Sequence, residues 1–161
     1  MDKKITIGTV CFIIDSVNSN VLLLERSREP MSGMLTGVGG KTNFDEDINK
    51  SCIREIKEET GLTAKNLHLN GIVKTILSGN ESSWILFVYS TNEFNGNIIE
   101  CNEGTLNWVN LDEVYSVNLI DFIREILPFV FESKFFEGTI LHDSKGTVLQ
   151  KNIKVRESIS L

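Results

Sequence analysis

Histidine, cysteine and long apolar runs are scarce in this chain, and each scarcity removes a class of protein. Only two histidines occur in 161 residues, His68 and His142, far apart in sequence, so a histidine-based centre is not the expectation. Cys11, Cys52 and Cys101 are an odd number at wide spacing. That fits neither a disulfide framework nor a zinc site, and each reads as a small buried hydrophobe. No apolar run approaches the roughly 18–20 residues that span a bilayer. The basic start, "MDKKITIGTV", is followed by neither an apolar signal segment nor a small-residue cleavage site. No membrane partner and a cytoplasmic location are therefore expected. Basic residues are also short, 16 against 22 acidic, for a net charge of −6. Gripping a nucleic-acid polymer needs a basic face, so that class is disfavoured too. A small phosphorylated ligand is not, because a bound metal ion reverses the local charge.

What the chain does contain is ordinary for a globular protein. An apolar fraction of 41% supplies a core for one domain, taken as 1–161. "ITIGTVCFIID" reads as a buried strand, "SVNSN" as a turn and "VLLLER" as the hairpin partner. "SREPMSGMLTG" is a loop. Ile48 to Thr60 reads as a helix, with Asp45 or Asp47 as N-cap, an acidic first turn suited to the dipole, and Gly61 as its stop. "LTAKNLHLNGIVKTIL" and "SSWILFVYST" read as strands around the turn "SGNE", and "GTLNWVNL" as a short strand. "LDEVYS" and "LIDFIREILPFV" look helical, the latter ending near Pro128. "FFEGTILHDSKGTVLQKNIKV" is a hairpin around "DSKG". Strands and helices interleave without regular βαβ spacing, which favours a mixed sheet flanked by helices.

The chemistry is concentrated in "GGKTNFDEDINKSCIREIKEETGL". At roughly 100° per residue, Ile48, Cys52, Ile53 and Ile56 share the core-facing sector of the helix. Glu55, Glu58 and Glu59 occupy an adjoining sector. Like charges at this spacing repel by roughly 0.2–0.5 kcal/mol per pair, so three converging carboxylates need a counter-charge. Arg54 and Lys57 project away from the middle of the acidic sector. A hard divalent cation such as Mg²⁺ takes oxygen ligands and commonly bridges to substrate phosphates. A solvated acidic face with ion pairs to lysine is the competing reading.

From Gly40 to Leu62 the chain matches G-x5-E-x7-R-E-U-x-E-E-x-G-U, U being aliphatic, at all nine specified positions. The stretch 40–62 thus resembles the Nudix box. The resemblance implies an α/β/α sandwich with a mixed β-sheet, and hydrolysis of nucleoside diphosphates linked to another group with Mg²⁺ or Mn²⁺. It implies that Glu55, Glu58 and Glu59 bind metal together with the Gly39 carbonyl, that Arg54 orients the glutamates, and that Glu46 braces the loop. Lys41 is placed to meet phosphate, and Arg26, at the end of the second strand, is a candidate phosphate contact with a solvated role as its alternative. The resemblance also implies that Glu103, in "ECNEGTLNW", is a candidate metal ligand and, with Glu55, a candidate general base; a plain surface carboxylate is its alternative.

Beyond the box, "FNGNIIECNEGTLNWVNLDEV" and the closing hairpin resemble the MutT-type 8-oxo-dGTP diphosphatases of Gram-positive bacteria. Such enzymes release a monophosphate and pyrophosphate and keep an oxidised nucleotide out of DNA. The base-reading positions depart from that pattern. Leu35 and Thr36 stand where many relatives have tryptophan and asparagine, and "SVNLIDF" offers only Asn118 and Asp121 as polar candidates. Thr36 and Asn118 are accordingly the candidate substrate contacts, while Trp108 and Trp84 read as strand residues. Another deoxynucleoside triphosphate, a nucleoside diphosphate or ADP-ribose is the alternative substrate, and a non-catalytic binding module the alternative class. Monomer and homodimer are both compatible with the sequence.

Overall fold

The computed structural model describes residues 2–79 and 82–157. The main sheet is built from β1 (Lys4–Asp15), β2 (Asn20–Arg26), β3 (Leu35–Thr36), β5 (His68–Leu77), β6 (Ser82–Thr91), β8 (Gly104–Asn110), β9 (Phe136–His142) and β10 (Val148–Val155). Its order is β10-β9-β5-β6-β1-β2-β3, with β8 pairing β2. It is mixed: β1 runs parallel to β6 and β5 parallel to β9, and the other pairs are antiparallel. β4 (Thr63–Lys65) and β7 (Glu93–Asn95) form a small separate ribbon. The helices are α1 (Ile48–Thr60) and α2 (Asp121–Phe131).

The central strands are apolar on both faces because a helix covers each face. Side chains alternate along a strand, and β1 and β2 divide accordingly. Val10, Phe12, Val21 and Leu23 pack with Ile123, Ile126, Leu127 and Val130 of α2. Cys11, Ile13, Leu22 and Leu24 pack with Cys52 and Ile56 of α1. This is the expected α/β/α sandwich. Cys11 and Cys52 are fully buried as expected, whereas Cys101 is only half-buried.

Several local features depart from the sequence expectation. "LTAKNLHLNGIVKTIL" is two strands, β4 and β5, because Asn66 adopts a left-handed turn at φ 50° between them. α2 runs through Pro128 to Phe131; the proline removes one helical hydrogen bond, but the buried Leu127 and Val130 on either side hold the last turn to the core. "LDEVYS" contributes only a short 3-10 turn at Val114–Ser116. Asp47 rather than Asp45 caps α1, accepting from Lys50 N at 3.0 Å. The first turn of α1 carries no acid, since Asp45, Glu46 and Asp47 all precede it. Of the turn "SGNE", Asn80 and Glu81 lie outside the described residues, as do Met1 and 158–161 of the expected domain.

Candidate functional site

The segment 38–41 lies beside the first half of β1, bridging Cys11 with Val38 and Gly8 with Lys41. Thr9 N donates to Gly40 O at 2.9 Å. α1 then packs its acidic edge against this segment. Gly40 leaves the carboxylate room: a Cβ on it would lie 2.6 Å from a Glu55 carboxylate oxygen. Glu59 is 6% exposed, and its Oε2 accepts from Gly39 N at 2.9 Å.

Arg54 lies at the hub of the cluster. Its Nε and Nη2 form a fork on Glu46, at 2.7 and 3.0 Å. Nη1 donates to Glu55 at 2.9 Å and to Glu58 at 3.1 Å, and Nη2 also donates to the Lys41 carbonyl at 3.1 Å. Arg54 leaves the helix outside the middle of the acidic sector, and its long side chain reaches back across the helix surface to the glutamates. Glu46 in turn accepts from Asn43 N at 3.1 Å, so one Arg–Glu pair braces the loop and the helix together.

The electrostatics differ across the cluster. The Arg54 guanidinium bonded to Glu46 holds that carboxyl down to about 2. Its bond to Glu46 likewise keeps Arg54 above its ordinary value. Burial lifts Glu55 above the usual carboxylate range despite Arg54 beside it. Burial pushes Glu59 up to about 9, opposed by the Gly39 N–H and reinforced by Glu103 and Glu55. Glu103 therefore belongs to the same cluster, and it arrives from a different part of the chain. Its carbonyl accepts from Ser27 N at 3.0 Å, which ties the loop before β8 to the end of β2.

A cavity of about 580 Å³ opens onto these groups. Gly39, Gly40, Lys41, Glu55, Glu59 and Glu103 line one end, and Arg26 and Thr36 line it as well. Glu58 is not on the lining and is 58% exposed at its side chain, at the rim beside Arg54. Arg26 is partly engaged, its Nε donating to Pro30 O at 3.0 Å.

Asn118 is the expected contact that does not reach the cavity. Its Nδ2 donates to Gly33 O at 3.3 Å, and its carbonyl accepts from Leu35 N at 2.8 Å. Asp121 is occupied too, accepting from Val148 N at 2.9 Å. Both candidate residues of "SVNLIDF" are engaged within the fold. Leu35 is buried, anchored through its backbone to Asn118 and Ile120. Trp108 stacks on Phe94, with ring centroids 5.6 Å apart, and is a packing residue as expected. Trp84, to which the sequence assigned no role, lines the cavity, and Lys41 Nζ stands 5.9 Å from its ring centroid. Thr75, Phe122 and His142 also line it and carried no sequence signal.

Among the described residues, no three His, Cys, Asp or Glu side chains are drawn into a closed metal-ligand set. Arg54 holds Glu55 and Glu58, and Glu59 is turned to Gly39 N. The donor chemistry nevertheless fits a hard cation. The groups are oxygens, they are crowded together, and burial leaves two of them short of counter-charge.

The fold and the glutamate-rich segment are those of a known family. Residues 4–130 match the model of the NUDIX domain. The chain belongs to the Nudix hydrolase family, whose members cleave phosphoanhydride bonds. Among curated relatives, an uncharacterised Nudix hydrolase of Bacillus subtilis is 29% identical over 137 residues, covering 82% of this chain and 85% of its own. The oxidized purine nucleoside triphosphate hydrolase of Danio rerio is 30% identical over 140 residues, covering 86% and 89%. Among solved structures, the mutator MutT protein of Bacillus halodurans superposes with a TM-score of 0.83 at 29% identity, covering 92% of this chain and 97% of that one. Among the described residues no helix is long and apolar enough to cross a membrane.

Proposed function

We propose that the protein is a Mg²⁺-dependent nucleoside triphosphate pyrophosphohydrolase, with 8-oxo-dGTP its leading substrate and a monophosphate and pyrophosphate its products. The observation that carries this reading is a single cavity with Glu55, Glu59, Glu103 and the Gly39–Lys41 backbone gathered at one end. The Gly39 carbonyl, Glu55, Glu58, Glu59 and Glu103 would hold Mg²⁺, or Mn²⁺ in its place. Once bound, the metal supplies charge neutralisation for phosphate oxygens and acidifies the attacking water. Arg54 and Glu46 keep the carboxylates in place through their fork. Lys41, held at the mouth above Trp84, offers an ammonium to the phosphate chain, and Arg26 extends the positive side. Either Glu55 or Glu103 takes the proton from the attacking water. Thr36 lines the cavity and would contact the nucleoside.

One observation keeps a second nucleotide in play: Asn118 and Asp121 are both engaged within the protein. The purine edge would then be read by other groups, and another deoxynucleoside triphosphate, a nucleoside diphosphate or ADP-ribose fits the same phosphate end. A nucleotide panel with Mg²⁺, read by phosphate and pyrophosphate release, identifies the substrate and the bond cleaved together. Pyrophosphate from 8-oxo-dGTP at a kcat/KM well above that for dGTP is expected. Cleavage of ADP-ribose without triphosphate cleavage would refute the reading.

A further inference from the structure

Neighbouring strands turn one face of the sheet toward the far end of the cavity. Register pairs His142 of β9 with Leu77 of β5, Thr75 of β5 with Trp84 of β6, and Gly8 of β1 with Leu86 of β6. Gly8 makes room for the indole, since a Cβ there would lie 2.8 Å from the Trp84 ring. The ring is thereby laid across β1 as a flat apolar floor.

His142 is the polar exception on this face that ends in a fixed acceptor. It is 7% exposed and lines the cavity. Its Nδ1 lies 2.8 Å from the carbonyl oxygen of Asp143. A carbonyl only accepts, so Nδ1 carries a proton, and in the tautomer this selects Nε2 is the acceptor. Among the described residues nothing donates to Nε2. The ring is held against Phe122, with centroids 5.2 Å apart, so it is fixed from the opposite side as well.

We propose that His142 is a specificity-determining residue, whose Nε2 accepts a hydrogen bond from a ring N–H or exocyclic amino group of a heterocycle bound in the cavity beside it. The proposal rests on the nucleotide reading above and adds how the base is recognised. A buried acceptor rejects a ligand that brings no donor, because the pair is then left unmade.

The test is a nitrogen-15 spectrum of the imidazoles of the full chain, titrated with 8-oxo-dGMP and then with purine riboside monophosphate, whose base has no N–H. The His142 Nε2 resonance should move with the first and stay in place with the second. An unmoved Nε2 while the Gly39–Lys41 amides shift would overturn the proposal and leave the nucleotide reading standing. No shift anywhere with either nucleotide would overturn both. Kinetics add a second arm. His142→Phe keeps a ring without the acceptor and should raise KM for the preferred triphosphate about tenfold, with kcat changed less than about twofold. His142→Gln, which retains an acceptor, should recover part of that loss. An equal loss on the triphosphate of the donor-free purine would mean that the histidine only packs, and would refute the proposal.

Discussion

The two ends of the cavity are built in opposite ways. The glutamate end comes largely from one contiguous segment, Gly39 to Glu59, with Glu103 added from a loop. The other end is assembled from single residues on separate strands and on α2, Thr75, Phe122 and His142, with Trp84 between the two ends beside Lys41. The first end is charged and braced by a fork of ion pairs; the second is mostly apolar and shaped by packing. On the reading proposed above, the chemistry would be held on one helix and the segment before it, and recognition would be spread over strands and α2.

This contrast separates the expected effects of mutation. The largest belongs to Glu59→Gln. It should reduce hydrolysis at least about 10²-fold, while leaving the melting temperature at pH 8 unchanged or higher, because a buried acid is removed. Steady-state rates and thermal melts measure both, and an active Glu59→Gln protein would dissolve the distinction between the ends. Arg54→Lys should come next, costing about 10–100-fold in rate, since an ammonium cannot reproduce a fork on Glu46 while also reaching Glu55 and Glu58.

A smaller effect comes from pH. Glu59 keeps its proton in the fold up to about 9, against an ordinary 4.5. Between those values the folded state binds the proton and the unfolded state does not. The metal-free protein should therefore lose stability as pH rises across that window, by at most about 1.4 kcal/mol per pH unit from this group. Denaturant melts in EDTA should show the slope, and Mg²⁺ should flatten it by releasing the proton. The smallest effect is predicted for Asn118→Ala. It removes the contact to Gly33 and should cost about 1 kcal/mol in stability, with kcat/KM within about twofold. A large KM change there would show that the base is read by "SVNLIDF" after all.

The same contrast explains what the sequence could reveal. The limits of α1, Ile48 and Thr60, were readable because a cap, an apolar stripe and a glycine stop all act within a few residues. The acidic cluster was readable because helical spacing converts sequence distance into spatial distance. The reach of Arg54 was not readable from the wheel, which records where a side chain leaves the helix and not how far it extends; its place among the glutamates was expected from the box alone. The placement of Trp84 and His142 on the cavity was invisible, since it depends on which strands become neighbours and in what register. Asn118 and Asp121 misled for the converse reason. Their polarity serves the loop at Gly33 and the start of β10, contacts that join positions far apart in sequence.

One strand has an uncommon position. β1 touches 38–41 along one side and β6 along the other, so Lys41 and Leu86 both register on Gly8. From β1 to β9 there are three strand spacings, about 14 Å at about 4.8 Å each. The hydrogen-bond ladder itself is thus a caliper. On the reading proposed above, it would set a minimum span between segment 38–41 beside β1 and His142 on β9, and a molecule shorter than that span would reach one of them without the other.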